Sequence, residues 1–403
     1  MKIAYLIMVT FMVWFGYKVD IKIESMYLHP TLVFLSSFIV FFLILGHRLR
    51  EESKVLSRMK MDEVKLNDLL ILITVKNAKM TLERNLRNLL DSVKARILVY
   101  DDGSEDGTFE MVKELSRRNE NLKVRRLKKD GRFLHPKGFA FEKAVKEEKF
   151  EWILVLDHET NVKGEDLRKA ISFMNEKKVD VFHFVRRNRV EGSFISRITD
   201  GDELVSDGLL MMNFPVFKGS GFIVRRKIAE KVEYPAICHS EDTKLLEIFK
   251  KLNARVYQSG TLQVHELPPM NFLELLKQRY RWLRGSIMQS HLDGTSSFVL
   301  QNVLSAMILN FLISPFRLNI LNQIGLDLIL TVMSFSLVMN VLVGRKNMLD
   351  AFIDSFLTTA FLIFEYAFLY PYTLLRCGKN YKFEYTLYNG SKTEDERNNH
   401  QSD

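Results

Sequence analysis

Cysteine is nearly absent from this chain. Cys238 and Cys377 are the two cysteines in 403 residues. They have neither metal-ligand spacing nor the look of a disulfide framework, which removes structural zinc sites and a disulfide-stapled secreted scaffold. No zinc-finger spacing occurs, and no basic run is interleaved with aromatics. The formal charge of +9 is therefore read as attraction to anionic lipid and phosphorylated substrates, with no nucleic acid among the expected partners. Charge is scarce in residues 3–17, 31–46, 298–316, 324–343 and 351–375. Each run is near the length needed to cross about 30 Å of hydrocarbon, although the first is short. No clear small-x-small cleavage site follows residues 3–17, and a second apolar run comes soon after, so the first is read as a retained anchor.

What remains is a mixed, charged middle between two apolar blocks. The layout predicts an N-terminal transmembrane hairpin over 1–48, a basic linker over 49–66 and a globular domain over 67–267. An amphipathic interface helix over 268–294, C-terminal transmembrane helices over 295–376 and a polar tail over 377–403 complete it. Arg48, Arg50, Lys54, Arg58, Lys60 and Lys65 crowd the stretch after the second run. The positive-inside rule then puts the globular domain on the cytoplasmic side of what is expected to be a multi-pass protein of the plasma membrane. The same rule meets a conflict further on. The Arg345-Lys346 loop and the tail with Arg376, Lys379 and Lys382 are both basic, and one spanning helix between them cannot leave both inside. Asn389-Gly390-Ser391 is a glycosylation sequon of a kind common by chance.

Within the middle, Leu69–Val75, Arg96–Tyr100, Leu122–Leu127 and Trp152–Leu156 read as strands. Helical patterns alternate with them: Leu82 to Leu90, Thr108 to Arg118, and near Gly138–Glu148. Alternation of this kind predicts an open, mostly parallel α/β sheet, whose ligands bind beyond the strand C-termini. Acidic clusters sit there. Asp101-Asp102-Gly103-Ser104-Glu105-Asp106-Gly107 follows the second strand. A carboxylate at that place accepts a hydrogen bond from uracil N3–H or a ribose hydroxyl, and the same residues also suit a polar turn with a helix cap. Asp157-His158-Glu159 ends an apolar strand, and acids two apart give two hard oxygen ligands for one Mg²⁺ or Mn²⁺. The alternative is a solvated strand end. His239-Ser240-Glu241-Asp242 opens a helix, where an acid serves the macrodipole or acts as a general base.

Residues 272–287 form the last motif. At 100° per residue Phe272, Leu273, Leu276, Tyr280, Leu283 and Ile287 share one apolar stripe. Gln278, Arg281 and Trp282 fall on the opposite side. Such a helix suits a membrane surface beneath a polar site, or is an ordinary basic amphipathic helix.

Taken in order, Thr74-Val75-Lys76-Asn77, Asp101-Asp102-Gly103-Ser104, Lys137-Gly138, Asp157-His158-Glu159, Gly219-Ser220-Gly221, Glu241-Asp242 and Gln278…Arg281-Trp282 resemble family 2 glycosyltransferases of the GT-A fold. The likeness is to their membrane-embedded branch, with cellulose, chitin and hyaluronan synthases, ceramide glucosyltransferases and relatives of the Egghead mannosyltransferase. It covers roughly residues 66 to 290. The resemblance implies Asp102, together with Asp101, at the nucleotide base, Lys137 near the donor phosphates, and Asp157 and Glu159 at a metal and diphosphate. It implies Asp242 as catalytic base with Glu241 beside it, and Gln278, Arg281 and Trp282 at the diphosphate and acceptor end. The chain departs from the family pattern in three places. Glu159 stands for the usual second aspartate, no Pro or Glu flanks Asn77, and Phe141-Glu142 occupies the region where an asparagine often follows the lysine-glycine motif.

The expected function is an inverting glycosyltransferase that moves a sugar from a UDP- or GDP-linked donor to a lipid or lipid-linked glycan. The competing mode is a processive polysaccharide synthase. A third reading is an inactive nucleotide-sugar-binding membrane protein. A transporter fits poorly, because the acidic residues concentrate in the soluble part rather than at a bilayer midplane.

Overall fold

The computed structural model describes residues 30–59, 66–127, 136–188, 192–214, 216–234, 240–293, 296–313 and 320–377. The expected anchor at 3–17, Lys60, Lys65, Cys238, His239, the sequon and the polar tail after Cys377 lie outside the described residues.

The chain divides into two compact units. The first comprises Leu35–Met270 with Met333–Thr358, and the second holds Asn271–Val332 and the chain from Thr359 on. The first unit is built on an eight-stranded mixed sheet, mostly parallel, in the order β3-β2-β1-β4-β7-β6-β8-β5. Strands β1 (Leu69–Val75), β2 (Arg96–Asp101), β3 (Leu122–Arg126) and β4 (Trp152–Asp157) run parallel. Strand β7 (Phe222–Arg225) is antiparallel to β4 and to β6 (Val181–Asn188), and β6 pairs in parallel with β8 (Val256–Glu266). The two-residue β5 (Asn161–Val162) closes the edge, antiparallel to β8. The mostly parallel α/β sheet expected from the sequence is present.

Strand β1 is central because it has no polar residue before Thr74, and a strand buried on both faces needs apolar side chains at every position. Successive side chains alternate between faces. Leu69, Ile71, Ile73 and Val75 accordingly join one core with Leu82, Leu86, Val112, Leu167 and Ile171. Leu70 and Leu72 join the other with Phe141, Ala144, Leu245 and Phe249. The first core packs helices α2 (Lys79–Ser92), α3 (Thr108–Arg118) and α5 (Gly164–Glu176), and the second packs α4 (Pro136–Glu147) and α7 (Glu241–Lys251).

A third core joins parts far apart in sequence. Helix α1 (Pro30–Arg58) lays Leu45 against Val185 of β6, Leu204 and Val205 of α6 (Phe194–Met211), and Phe335, Val338 and Met339 of α10 (Ile320–Leu342). Close approach is possible because Gly208 of α6 has no side chain; a Cβ there would lie 2.6 Å from Met339 Sδ. The basic end of α1 is a strap rather than a free polar segment. Arg48 donates to the carbonyls of Met211 and Gln258, and buried Glu52 accepts from Gly260 N at 2.8 Å and Thr261 Oγ1 at 2.8 Å.

The Arg345-Lys346 turn is equally tied down. Lys346 Nζ reaches Asp200 at 2.9 Å, Asp354 at 2.8 Å and Asn340 Oδ1 at 2.9 Å. Arg187 pairs with Asp200, and Arg197 with Asp354. On α11 (Met348–Phe364) Asp354, Ser355 and Thr358 are buried, while Leu349, Phe352, Ile353 and Phe356 form an exposed stripe at i, i+3, i+4, i+7. Leu35, Ile39, Val40, Leu43 and Ile44 are exposed on α1.

The second unit is helical: α8 (Phe272–Asp293), α9 (Ser296–Ile313), part of α10, and the chain from Thr359 through a π-helical turn at Glu365–Leu369. Among the described residues two helices could cross a membrane by length and composition, Ile324–Leu342 and Met348–Cys377.

The α8 face differs from the stripe expected. Leu275, Arg279, Leu283 and Ile287 are its buried line, whereas Phe272 and Leu273 are exposed. Leu283 and Ile287 pack with Tyr370, Leu374 and Cys377, as the expected stripe requires. Arg279 displaces the rest, because its guanidinium stacks 4.6 Å from the Trp282 ring and 5.7 Å from Phe361. An arginine with aromatic faces to cover it is at home in a buried line.

Candidate active site

The C-terminal edge of the parallel strands carries the acidic clusters. Thr74 of β1 is in register with Tyr100 on one side and Asp157 on the other, and Val75 is in register with Asp101. Asp101 and Asp157 thus flank β1, two strand spacings or roughly 10 Å apart.

At the β2 end Asp101 is fully buried. Its Oδ2 accepts from Ser104 N at 3.1 Å, and among the described residues its Oδ1 has no hydrogen-bond partner. A buried acceptor left without a donor is costly, and an imide or amide N–H of a nucleobase would satisfy it. Asp102 is half-buried and donates its backbone N–H to Val75 O at 2.8 Å. Arg126 brings its Nε to 4.0 Å from Asp101 Oδ2 and stacks over Phe109. The rest of the Asp-Gly-Ser loop does the turn work that its composition also suggested. Ser104 Oγ accepts from Asn77 N, Asp106 accepts from Lys79 N and Thr108 N, and Asn77 Oδ1 accepts from Glu105 N. These bonds hold Asn77 at φ 52°, a conformation asparagine tolerates better than most residues.

At the β4 end the expected residues converge. Lys137, in the first turn of α4, places Nζ 2.7 Å from Asp157 Oδ1, 3.5 Å from Glu241 Oε1 and 3.1 Å from Gly219 O. Asp242, in the first turn of α7, packs on Gly219; a Cβ there would lie 2.1 Å from Asp242 Oδ1 and 3.4 Å from Lys137 Nζ. Four segments widely separated in sequence therefore bring Lys137, Asp157, Gly219, Glu241 and Asp242 to one point.

The electrostatics follow from that clustering. Burial alone would lower the Lys137 pKa, but Asp157, Glu241 and Asp242 outweigh it and the ammonium is held well above its ordinary value. Burial likewise works against the Asp157 carboxylate, yet the Lys137 charge and hydrogen bond, with help from Arg186, hold its pKa below the usual range. Burial pushes His158 down, only partly offset by Asp157, so its imidazole is neutral at pH 7. Three carboxylates around one ammonium leave the cluster short of positive charge.

Glu159, the second expected metal ligand, is half-exposed, with Oε2 3.8 Å from His158 Nε2. Among the described residues no group of three or more His, Cys, Asp or Glu gathers to hold a metal. The donor set of Asp157 and Glu159 fits a hard cation that brings its own oxygen ligands, as a diphosphate-bound ion does, and does not fit a cation caged by protein alone.

Gln278, Arg281 and Trp282 lie on α8 in the second unit. Arg281 is exposed, Gln278 is half-buried and Trp282 is 39% exposed under the Arg279 guanidinium. Sequence reasoning missed Arg126, Arg186 and Glu266, which end or lie in strands of mixed polarity and carry no motif. It also gave no role to Ser220, whose Oγ accepts from Asp157 N at 2.9 Å.

The sequence matches two family models over this same region. One, described as glycosyl transferase family 2, covers residues 70–233, and the other, glycosyl transferase family group 2, covers residues 152–353, half of the chain. The chain belongs to glycosyl transferase family group 2. It is a glycosyltransferase, and Asp157 lies in the overlap of the two matches, Lys137 in the first and Asp242 in the second. Similar solved structures include the mannosyltransferase PcManGT from Pyrobaculum calidifontis in complex with GDP-Man and Mn²⁺, at 13% identity and TM-score 0.46, covering 87% of this chain and 96% of that one. TarS residues 1–349 from S. aureus, in complex with UDP-GlcNAc, is similar at 15% identity and TM-score 0.38, covering 73% of this chain and 91% of that one. No curated protein matches the chain.

Proposed function

We propose that this enzyme is an inverting, GT-A-type glycosyltransferase that acts at a membrane and moves a sugar from a UDP- or GDP-linked donor to a lipid or lipid-linked glycan. The observation that carries the reading is the convergence of Lys137, Asp157, Glu241 and Asp242 at Gly219. The nucleobase sits over Asp101 Oδ1, which has no hydrogen-bond partner among the described residues, with Arg126 facing its exocyclic oxygen. The diphosphate runs toward Lys137 and Asp157. Asp242 takes the proton from the acceptor hydroxyl as that oxygen attacks the anomeric carbon, and the nucleoside diphosphate leaves from the opposite face. Lys137 meets the negative charge that grows on the leaving oxygen. A Mg²⁺ or Mn²⁺ held by Asp157 and Glu159 would neutralise further diphosphate charge there. The motif resemblance assigns Arg281 to phosphate, which a forked guanidinium suits, and Trp282 to the C–H side of a sugar, which an aromatic face suits.

The membrane part of the proposal is supported by the exposed apolar stripes of α1 and α11 and the two helices long enough to span. In this reading the catalytic unit faces the cytoplasm.

The test is a donor screen on the detergent-solubilised full chain, using UDP- and GDP-linked sugars with Mg²⁺, Mn²⁺ or chelator, and lipid and glycan acceptors. One added sugar per acceptor is expected. Hydrolysis without transfer, or activity indifferent to every nucleotide sugar, overturns the reading.

A further inference from the structure

The turn after β4 is gripped from two sides. Asn85, fully buried on α2, donates to the carbonyls of His158 at 2.8 Å and Thr160 at 2.9 Å. On the other side a run of hydroxyls leads away from Asp157, and counting protons fixes its direction. The Asp157 N–H donates to Ser220 Oγ at 2.9 Å, and the Thr160 hydroxyl donates to Glu266 Oε1 at 3.1 Å. A hydroxyl has one hydrogen. Thr160 has spent its own on Glu266, so the 3.2 Å contact between Ser220 and Thr160 runs from Ser220 to Thr160. Every donor in the run therefore points toward Glu266.

Glu266 ends β8, and its carboxylate is met by Arg186 of β6, whose Nη1 lies 3.3 and 3.4 Å from the two oxygens. Arg186 is 7% exposed. It also stands 3.6 Å from Glu203, and its backbone N–H donates to Asp207 Oδ2 at 2.9 Å, both on α6. Lys218 also pairs with Glu203, so Glu266 is the carboxylate that the Arg186 guanidinium holds most directly; a buried arginine is expensive to desolvate, and a core without it would be simpler.

We propose that Arg186 is a positioning residue: through Glu266, Thr160 and Ser220 it fixes the backbone at Asp157 and so sets where that carboxylate meets the donor diphosphate. The inference rests on the donor-site reading of Asp157 given above. Supports of this kind matter because a ligand-holding side chain is only as well placed as the groups behind it.

The test uses the full chain in detergent and reads binding of UDP and of GDP with Mn²⁺ by calorimetry, without turnover. Hydrogen exchange across residues 157–160 and thermal unfolding are read in parallel. Thr160→Val removes the relay hydroxyl and leaves every charge in place. It should weaken nucleotide binding about tenfold or more, within the 10- to 100-fold range usual for loss of such a support, and speed exchange in the 157–160 segment with little change in Tm. Thr160→Ser restores the hydroxyl and should bind like the unchanged protein. Arg186→Met should weaken binding at least as much as Thr160→Val; if it fails to fold, the Thr160 pair decides alone. Equal binding by the Val and Ser variants, while Asp157→Ala loses binding, overturns the relay and leaves the donor site standing. Normal binding by Asp157→Ala overturns the donor-site reading, and the relay with it.

Discussion

Replacing Gly219 by alanine puts a methyl carbon 2.1 Å from Asp242 Oδ1 and 3.0 Å from its Cγ. Ordinary contact between such atoms needs about 3.5 Å, so the carboxylate must retreat by roughly 1 Å or more. The atom that moves ends a short side chain in the first turn of a helix, not backbone, so the fold absorbs the change cheaply. The lower chain entropy of unfolded alanine, about 0.4–1 kcal/mol, acts in the opposite direction. Tm should therefore move little. Catalysis should not be spared, because a misplacement of about 1 Å at a reacting group costs on the order of 10²-fold in rate. That factor corresponds to about 2.7 kcal/mol of transition-state stabilisation. The assay is single-turnover sugar transfer with saturating donor, beside donor affinity and Tm for the same preparation. Gly219→Ala with Asp242→Asn should be no slower than the slower single variant, since both disable one carboxylate. Gly219→Ala turning over at the normal rate would show that Asp242 either has room to spare or is not the base.

Three further outcomes are expected. Asp242→Asn keeps size and removes basicity, so kcat should fall by orders of magnitude with donor affinity nearly intact; near-normal turnover would move the role, with Glu241 first in line. Burial raises the Asp207 pKa to about 7 against the opposing pull of Arg186. The folded state thus binds more protons than the unfolded one, and stability falls as pH rises from about 3.8 toward 7. Asp207→Asn removes that cost and should raise Tm more at pH 8 than at pH 5; an equal gain at both contradicts the linkage. Arg281→Lys keeps charge but loses the bidentate fork, and should cut transfer substantially at unchanged Tm; full activity would remove Arg281 from the diphosphate.

The half of the sheet that could be read from sequence is the half with uninterrupted apolar strands. Leu69–Val75 and Trp152–Asp157 announce themselves because burial on both faces leaves no room for polar side chains. Strands β6 and β8 did not, since His183, Arg186, Arg187 and Asn188, or Gln258, Ser259 and His265, read as surface. Arg186 is answered by Glu266 of β8, Arg187 and Asn188 by Asp200 and Thr199 of α6, and Ser259 by Glu52 of α1, a matching that appears only once those elements are adjacent. The cluster at Gly219 was legible residue by residue, as each member belongs to a short motif. What the motifs did not contain is the direct lysine–carboxylate contact, or the hydroxyl run to Glu266. On α8 the expected stripe slipped because periodicity counts an arginine as polar, while Arg279 lies against the rings of Trp282 and Phe361.

The third core bears on how this enzyme can be divided. A fragment cut at 67–267 would carry every carboxylate of the donor site and all eight strands. It would also lose Leu45 of α1 and Phe335, Val338 and Met339 of α10, and so expose Leu204 and Val205 of α6 to water. Asp200 would lose Lys346, Arg197 would lose Asp354, and β8 would lose the Glu52 carboxylate that receives its amide at Gly260. The sheet is thus completed by sequence from both apolar blocks. A shortened version of the enzyme would have to be designed around those helices, with the inward faces of α1 and α10 left as they are.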